Sequence, residues 1–216
     1  AMAAWRGLPT HQPPITRDSH WLSAMFSAYK RLMREPRFLL YVLILAATTA
    51  TFYVFLGGAP IVLKGYGIGP DGIGWFIMAV PMSYIVGNFM TSRWIQRIGE
   101  RRMMSAGQAF TISGLVIMLA LGLAGFKNPL AVALPLLLLG FGHGLLNPPA
   151  LAGTVSVLPA LAGSAAAVAG LMQQLTGATG AYLVGLVSHD GAINLGWMML
   201  AFSLLAAFAQ WVLHRR

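Results

Sequence analysis

The chain has 216 residues, of which 57% are hydrophobic and only 9% are charged. Soluble domains carry about 25% charged residues, so this composition excludes an ordinary soluble domain and a disordered chain. The absence of cysteine from the sequence excludes disulfide scaffolds, thiolate zinc sites and thiol nucleophiles. The formal net charge of +9, taken alone, would fit nucleic-acid binding, so the positions of the basic residues decide what it means.

The first 36 residues are more polar than the rest of the chain. Residues 1–18, which contain three prolines, are predicted to form a cytoplasmic linker. Residues 19–36 are predicted to form an amphipathic interfacial helix, because apolar side chains recur there at helical spacing beside basic ones. Ser19 is its expected N-cap, and Pro36 separates it from the first apolar stretch. No signal peptide is recognised, and the direct start into a linker suggests a fragment of a longer protein.

Six apolar stretches follow, and each can cross the roughly 30 Å hydrocarbon core, which takes about 20 residues of helix. We therefore predict a six-helix transmembrane domain over residues 37–216. Glycine- and proline-rich connections between the stretches are short, so neighbouring spans must run antiparallel. The predicted spans are residues 38–63, 73–92, 103–126, 130–157 with an interruption at Pro148-Pro149, 161–187 and 193–213.

The basic residues follow the topology of these spans. All but two of the 14 Lys and Arg, namely Lys64 and Lys127, fall on one side of the predicted membrane. They precede the first span, connect the second to the third, or end the chain. The positive-inside rule then places both termini in the cytoplasm, with a bacterial inner membrane as the expected location. Membrane topology and anionic lipid of the bilayer therefore explain the excess of basic residues, and no nucleic-acid partner is predicted.

The sequence resembles itself at an offset of 89 residues. One interpretation is chance, because glycine and proline are abundant in the chain. The other is a 3+3 inverted-repeat bundle, in which three spans are copied with opposite topology, as in secondary transporters. The fold class predicted is therefore an all-α membrane protein of six transmembrane helices. The positions that coincide are Pro60 with Pro149, Pro70 with Pro159, and Gly74 with Gly163.

No Asp, Glu, Lys or Arg lies in the middle of a predicted span, so the uncharged polar residues carry the information about function. His143 and Asn147 are four residues apart and share one helix face. The histidine is either a structural residue bonded to a neighbouring helix or a cavity group that binds substrate or senses protons. Gln173 and Gln174 should face the bundle interior, because amides that face lipid are costly.

The first two spans add threonine, methionine and aromatic side chains to the candidate set. For the methionine and phenylalanine, a role in the core competes with a role in an adaptable surface for apolar ligands. No Walker, His-Glu-x-x-His or Gly-x-Ser-x-Gly motif is present, so we predict no enzyme, no catalytic residue, no metal and no cofactor. The candidates for a substrate cavity are Thr51, Phe55, Met78, Tyr84, His143, Asn147, Gln173 and Gln174.

The connection between the second and third spans carries a recognisable motif. Residues 92–102 resemble the second-half copy of the loop motif of the major facilitator superfamily, roughly Gly-x-Leu-Ala-Asp-Arg-x-Gly-Arg-Arg. Arg97, Gly99 and Arg101 match it, whereas Ser92 stands in the place of the first glycine and Gln96 in that of the aspartate. The resemblance assigns the three matching residues to a gating loop at the cytoplasmic face.

Three further segments resemble spans seven, eight and eleven of drug/proton antiporters of the bicyclomycin-resistance type. The resemblance implies the C-terminal six-helix half of a twelve-helix transporter, whose N-terminal six-helix half holds the coupling carboxylates. It also implies proton-coupled efflux of small amphipathic compounds by alternating access. The segments are Gly58-Ala59-Pro60, Pro81-x-x-Tyr84-x-x-Gly87-Asn88 and Gly163-Ser164-Ala165.

Two other functions stay open at this point. An uptake symporter of the same superfamily would differ in the direction of net flux. A self-standing six-helix channel or membrane assembly protein would instead act without a second half, for example as a dimer.

Overall fold

The structure, a computed structural model, describes residues 21–188 and 191–215, with side chains from residue 26 onwards. Within these ranges the chain forms seven α-helices, one 3₁₀ turn (Pro159–Leu161) and no strand, which confirms the all-helical prediction. The predicted linker 1–18 and the Ser19 cap lie outside the described residues. The helices are α1 (Trp21–Met33), α2 (Pro36–Gly65), α3 (Pro70–Ile98), α4 (Glu100–Leu123), α5 (Pro129–Ser156), α6 (Ala162–Gly185) and α7 (Ala192–Arg215).

Proline begins three of the long helices. Pro36, Pro70 and Pro129 each occupy the first helical position, where the missing N–H removes no helical hydrogen bond. At α5 the preceding Asn128 side chain also caps the helix, since its carbonyl oxygen accepts a 2.9 Å hydrogen bond from the Leu130 N–H. These prolines therefore fix where α2, α3 and α5 enter the bundle.

The connection from α3 to α4 is one residue long. Gly99 has φ +83° and ψ 152°, a backbone conformation almost restricted to glycine, and both flanking residues are already helical. The sequence predicted a longer arginine-rich loop between 92 and 103. Instead Arg97 and Arg101 lie on α3 and α4, because a single left-handed glycine suffices to reverse the chain.

Five of the six long helices are apolar enough to cross a membrane, by length and composition. The exception among the described helices is α6, which is 24 residues long but contains Gln173, Gln174 and many small residues. The predicted fifth span is nevertheless present as a helix of membrane-crossing length, which agrees with the predicted six-helix bundle. Its polar side chains lower its hydropathy, although the helix packs along α2 over much of its length.

The long helices pack in two equivalent groups of three. Helix α2 packs most extensively against α6 and α7, and α5 packs most extensively against α3 and α4. Further contacts join α4 to α7 and α2 to α5. This contact pattern is unchanged when α2–α4 and α5–α7 are exchanged, as an inverted repeat requires.

Two reciprocal hydrogen-bonded pairs join α4 to α7. The Gln108 side-chain amide donates to the backbone oxygen and the hydroxyl of Ser203, both at 2.9 Å. Two turns away on α7, the Gln210 amide donates to the Ser105 hydroxyl at 3.1 Å. Each helix thus supplies one glutamine and one serine. None of these four residues was predicted from the sequence to have a role.

Buried apolar side chains form two clusters, one at each end of the bundle. At the end rich in arginine, here called the basic end, Leu32 of α1 is fully buried with Phe38 and Met104. The cluster at the opposite end includes Leu136 and Leu195. Between the two clusters, the helices leave space at half their length.

Candidate functional site

A cavity of about 220 Å³ lies half-way along α2, α3 and α5. None of its lining side chains carries a formal charge, and most of the lining is apolar. Cavities of this kind, apolar with a few polar groups, are the usual form of small-molecule sites. The lining residues are Thr48, Thr49, Phe52, Val80, Pro81, Tyr84, Gly140, His143 and Asn147.

Glycines allow α3 and α5 to approach closely beside this cavity. A Cβ at Gly87 would overlap the Phe141 carbonyl oxygen, and a Cβ at Gly140 would overlap the Val80 carbonyl oxygen and the Ser83 hydroxyl. Small residues at such positions are typical of helix contacts in membranes, where close backbone packing replaces the hydrophobic effect. The glycines therefore bring the polar face of α5 next to α3.

A threonine closes a gap in the hydrogen bonding of α5. Pro148 has no N–H, so the carbonyl oxygen of Gly144, four residues before it, lacks its usual helical donor. The hydroxyl of Thr91 on α3 lies 3.0 Å from this oxygen and 3.0 Å from the oxygen of Gly87 in its own helix. Thr91 is buried, so the donor that replaces the missing N–H of α5 comes from a neighbouring helix inside the bundle.

The polar groups of α5 in the cavity are His143 and Asn147. His143 is 4% exposed, and its position four residues before Asn147 places both side chains on one helix face, as predicted. The carboxamide oxygen of Asn147 is buried, and no hydrogen-bond partner for it is found among the described residues. Across the cavity, the Thr48 hydroxyl donates to the Ile44 carbonyl oxygen at 2.7 Å.

The structure brings three of the eight predicted cavity residues together, namely Tyr84, His143 and Asn147. Thr51 and Phe55 lie outside the cavity lining: both are buried, the threonine hydroxyl donates to the Ala47 oxygen at 3.0 Å, and Phe55 belongs to the apolar cluster at the end opposite the basic end.

The remaining three predicted residues lie on other surfaces. Met78 is an exposed residue of α3, and Gln173 and Gln174 lie on α6. Gln174 is exposed, and its side-chain oxygen accepts a 3.1 Å hydrogen bond from the Tyr53 hydroxyl of α2. This contact joins α6 to α2.

On α2 the cavity face is Thr48–Phe52 rather than the predicted Thr51–Phe55. With 3.6 residues per turn, the three-residue offset between the two pairs rotates the face by about 60°. Both pairs have the same four-residue spacing, so the sequence contains no signal that separates them. Thr49 and Phe52 were missed for this reason.

The three motif residues lie at the basic end, away from the cavity. Arg97 and Arg101 are exposed on either side of Gly99, and Glu100 accepts a 2.6 Å hydrogen bond from the Tyr41 hydroxyl of α2. Glu100 and Arg101 line a second, polar cavity of about 610 Å³ at this end. The hydrogen bond between Tyr41 and Glu100 joins the start of α4 to the start of α2.

Comparison with protein families gives a match to the Major Facilitator Superfamily over residues 39–216. The matched region contains all of the long helices apart from the first three residues of α2. The chain belongs to the major facilitator superfamily. It is an integral membrane protein of a transporter family, which confirms the resemblance at the level of the superfamily. A search of curated proteins returned no match.

Proposed function

We propose that this major facilitator superfamily chain takes part in proton-coupled efflux of small amphipathic compounds by alternating access. The observation that supports this is the uncharged cavity half-way along α2, α3 and α5. Phe52, Pro81 and Tyr84 provide apolar surface, while His143 and Asn147 provide polar atoms. A compound with both a flat apolar part and a polar group would match this lining.

We further propose that a second six-helix half covers the cavity. In the most apolar 18-residue stretch of α3, only 11% of the stretch is buried inside the structure. The corresponding stretches of α2 and α5 are each 56% buried. Polar side chains on α6 also favour a neighbour other than lipid, because exposed amides are costly there. On the sequence resemblance, we propose that the complete protein is of the drug/proton antiporter type, with coupling carboxylates in the other half.

The direction of insertion follows from charge. Arginines are concentrated at the C-terminal ends of α3 and α7 and at the N-terminal end of α4. This concentration supports a cytoplasmic basic end in a bacterial inner membrane. In this orientation the chain's termini are cytoplasmic, and Arg97, Gly99 and Arg101 gate the cytoplasmic side.

The test is dye efflux from liposomes that contain the full-length protein, with and without an imposed pH gradient. We expect efflux to require the gradient and to fall at least tenfold in the Phe52→Ala variant. The matched control is Phe208→Ala, because Phe208 is 61% exposed on α7 and lies outside the cavity lining. Equal efflux with and without the gradient would reject proton antiport.

The same full-length protein, in liposomes and in a planar bilayer, separates the two other candidate functions. An uptake symporter would move the dye in the same direction as the protons. An antiporter would move the dye in the direction opposite to the protons. A six-helix channel would conduct ions across a planar bilayer without any substrate and would be insensitive to Phe52→Ala.

A further inference from the structure

The short helix α1 packs on the basic end of the bundle by one of its faces. Leu32 is fully buried in the apolar cluster at that end, and Tyr29, about one turn earlier, is partly buried against the same cluster. The neighbours of α1 in this packing are α2 and α6. Phe26 and Met33, by contrast, are 68% and 44% exposed. Helix α1 is therefore fixed to the bundle while the described residues leave part of its apolar surface uncovered.

The two exposed apolar residues form a stripe beside the packed face. Phe26 and Met33 are seven residues apart, which places them within about 20° of each other around the helix axis. Met33 follows Tyr29 by four residues, so the stripe begins about 40° from the edge of the packed face. The stripe therefore runs along one flank of α1, between the face that packs on the bundle and the face that points away from it.

Basic side chains occupy the face of α1 that points away from the bundle. Lys30 lies about 40° from Phe26 around the helix axis, on the side opposite to Leu32. Arg31 and Arg34 follow it, and all three basic residues are exposed. The sequence of α1, Trp21–Met33, contains no Asp or Glu. An apolar stripe next to a basic face is typical of helices that lie in the surface of an anionic bilayer.

Tryptophans at the same end of the bundle mark the level of a membrane surface. Trp94 near the end of α3 and Trp211 near the end of α7 are both about half exposed, and the Arg215 guanidinium lies 3.7 Å from the centroid of the Trp211 ring. Tryptophan is enriched where a membrane protein meets the headgroups. Leu32 belongs to the same cluster as Leu213, two residues after Trp211, so α1 lies at this level.

We propose that α1 docks on the anionic phospholipids at the membrane surface around the basic end. Phe26 and Met33 enter the boundary between headgroups and acyl chains, and the basic face of α1 binds the phosphates. Lipid binding then holds the starts of α2 and α6 at the membrane surface, because α1 packs against both helices. The proposal goes beyond the proposed transport function and does not depend on the substrate, the direction of flux or proton coupling.

The experiment measures the depth of single spin labels in the full-length protein without other cysteines. Labels are attached at Phe26→Cys or at Met33→Cys, and the protein is placed in vesicles of phosphatidylcholine with or without phosphatidylglycerol. Depth follows from the accessibility of the label to dissolved oxygen and to a water-soluble nickel chelate. The control label is Val116→Cys, which is exposed on α4 and should have the same depth in both kinds of vesicle.

We expect both α1 labels to lie about 5–10 Å below the headgroup boundary when phosphatidylglycerol is present, and to stay accessible to nickel in phosphatidylcholine alone. Each basic residue near an anionic surface favours the bound state roughly fivefold, so Lys30→Gln with Arg34→Gln should lower the ratio of inserted to exposed label roughly 25-fold.

The matched charge control is Arg93→Gln with Arg102→Gln. It removes the same charge from exposed positions of α3 and α4 at the basic end, and the α1 labels should insert as before.

Three results would overturn the inference. Equal depth in the two kinds of vesicle would mean that lipid charge does not hold α1. Labels closed to both oxygen and nickel would mean that protein, such as a second six-helix half, covers the stripe. Labels open to nickel in both kinds of vesicle would mean that the stripe stays in water. The dye-efflux assay tests the transport proposal separately, since its outcome does not change the depth of α1.

Discussion

Single residues repair the backbone of this bundle where proline and glycine interrupt it. Pro148 removes the helical donor of the Gly144 oxygen, and the Thr91 hydroxyl of α3 replaces it at 3.0 Å. Gly99 reverses the chain between α3 and α4 at φ +83°. Both features are local in chemistry, but neither the donor for the Gly144 oxygen nor the one-residue connection at Gly99 was predicted from the sequence.

Thr91→Val should destabilise the protein by about 1–3 kcal/mol, because the Gly144 oxygen then stays buried without a donor. The matched control is Thr51→Val. Thr51 is as deeply buried, but its hydroxyl bonds only to the Ala47 oxygen within its own helix, which keeps its helical N–H. Thermal unfolding in detergent measures both variants. Equal losses would contradict the bridging role of Thr91.

Gly99→Ala should cost about 1–3 kcal/mol, because a Cβ is strained at this φ and ψ even though no atom lies within 4 Å of it. Gly170→Ala is the control. Gly170 lies inside α6 with open space around its Cα, so the alanine should be neutral or should stabilise by roughly 0.5–1 kcal/mol. Thermal unfolding midpoints measure both variants. If Gly99→Ala and Gly170→Ala unfold at the same midpoint, the strain argument is wrong.

At the scale of elements, pairs of helices are held by different means. Helices α4 and α5 approach so closely that a Cβ at Gly107 would overlap the Gly142 oxygen, and a Cβ at Gly142 would overlap the Gly107 oxygen. Helices α4 and α7 are joined instead by the amides of Gln108 and Gln210. Close packing and hydrogen bonds thus fix different faces of α4.

Gln108→Leu and Ser203→Ala should be coupled. Hydrogen bonds between membrane helices contribute about 0.6 kcal/mol on average and at most roughly 1.7 kcal/mol, so we expect a coupling energy in this range. A double-mutant cycle on unfolding free energy measures it. The control cycle pairs Gln108→Leu with Thr179→Val on the distant helix α6, and its coupling energy should be near zero. Equal coupling energies in the two cycles would mean that the hydrogen bond between α4 and α7 adds no stability.

At the scale of the whole molecule, the question is what covers α3. Its exposed residues include Trp75, Met82 and Phe89, which form an apolar surface beside the cavity. Lipid could cover this face, but the proposed second half would also close the cavity. The amino-acid composition of this face suits a lipid cover and a protein cover equally. Only a measurement of what surrounds α3 therefore distinguishes the two.

Spin labels on introduced cysteines should distinguish the two coverings in the full-length protein. We expect the label at Met82→Cys to be shielded from dissolved oxygen, because protein covers this part of α3. The label at Val116→Cys on α4, where Val116 is 49% exposed, should be as accessible to oxygen as a lipid-facing site. Oxygen accessibility at position 82 as high as at position 116 would contradict a second half on α3.

The sequence determined the membrane class, the helix order and the side on which arginine gathers, because these depend on composition along the chain. It also placed His143 and Asn147 on one face, since four-residue spacing is a property of any α-helix.

Only the tertiary structure decided the rotation of α2, which brings Thr48 and Phe52 rather than Thr51 and Phe55 to the cavity. It also decided the partners of Thr91 and Gln108, which are 53 and 95 residues away along the chain. Helix spacing says which residues share a face; which face meets which neighbour depends on close packing at glycines such as Gly87 and Gly140, and that packing is a property of two helices together.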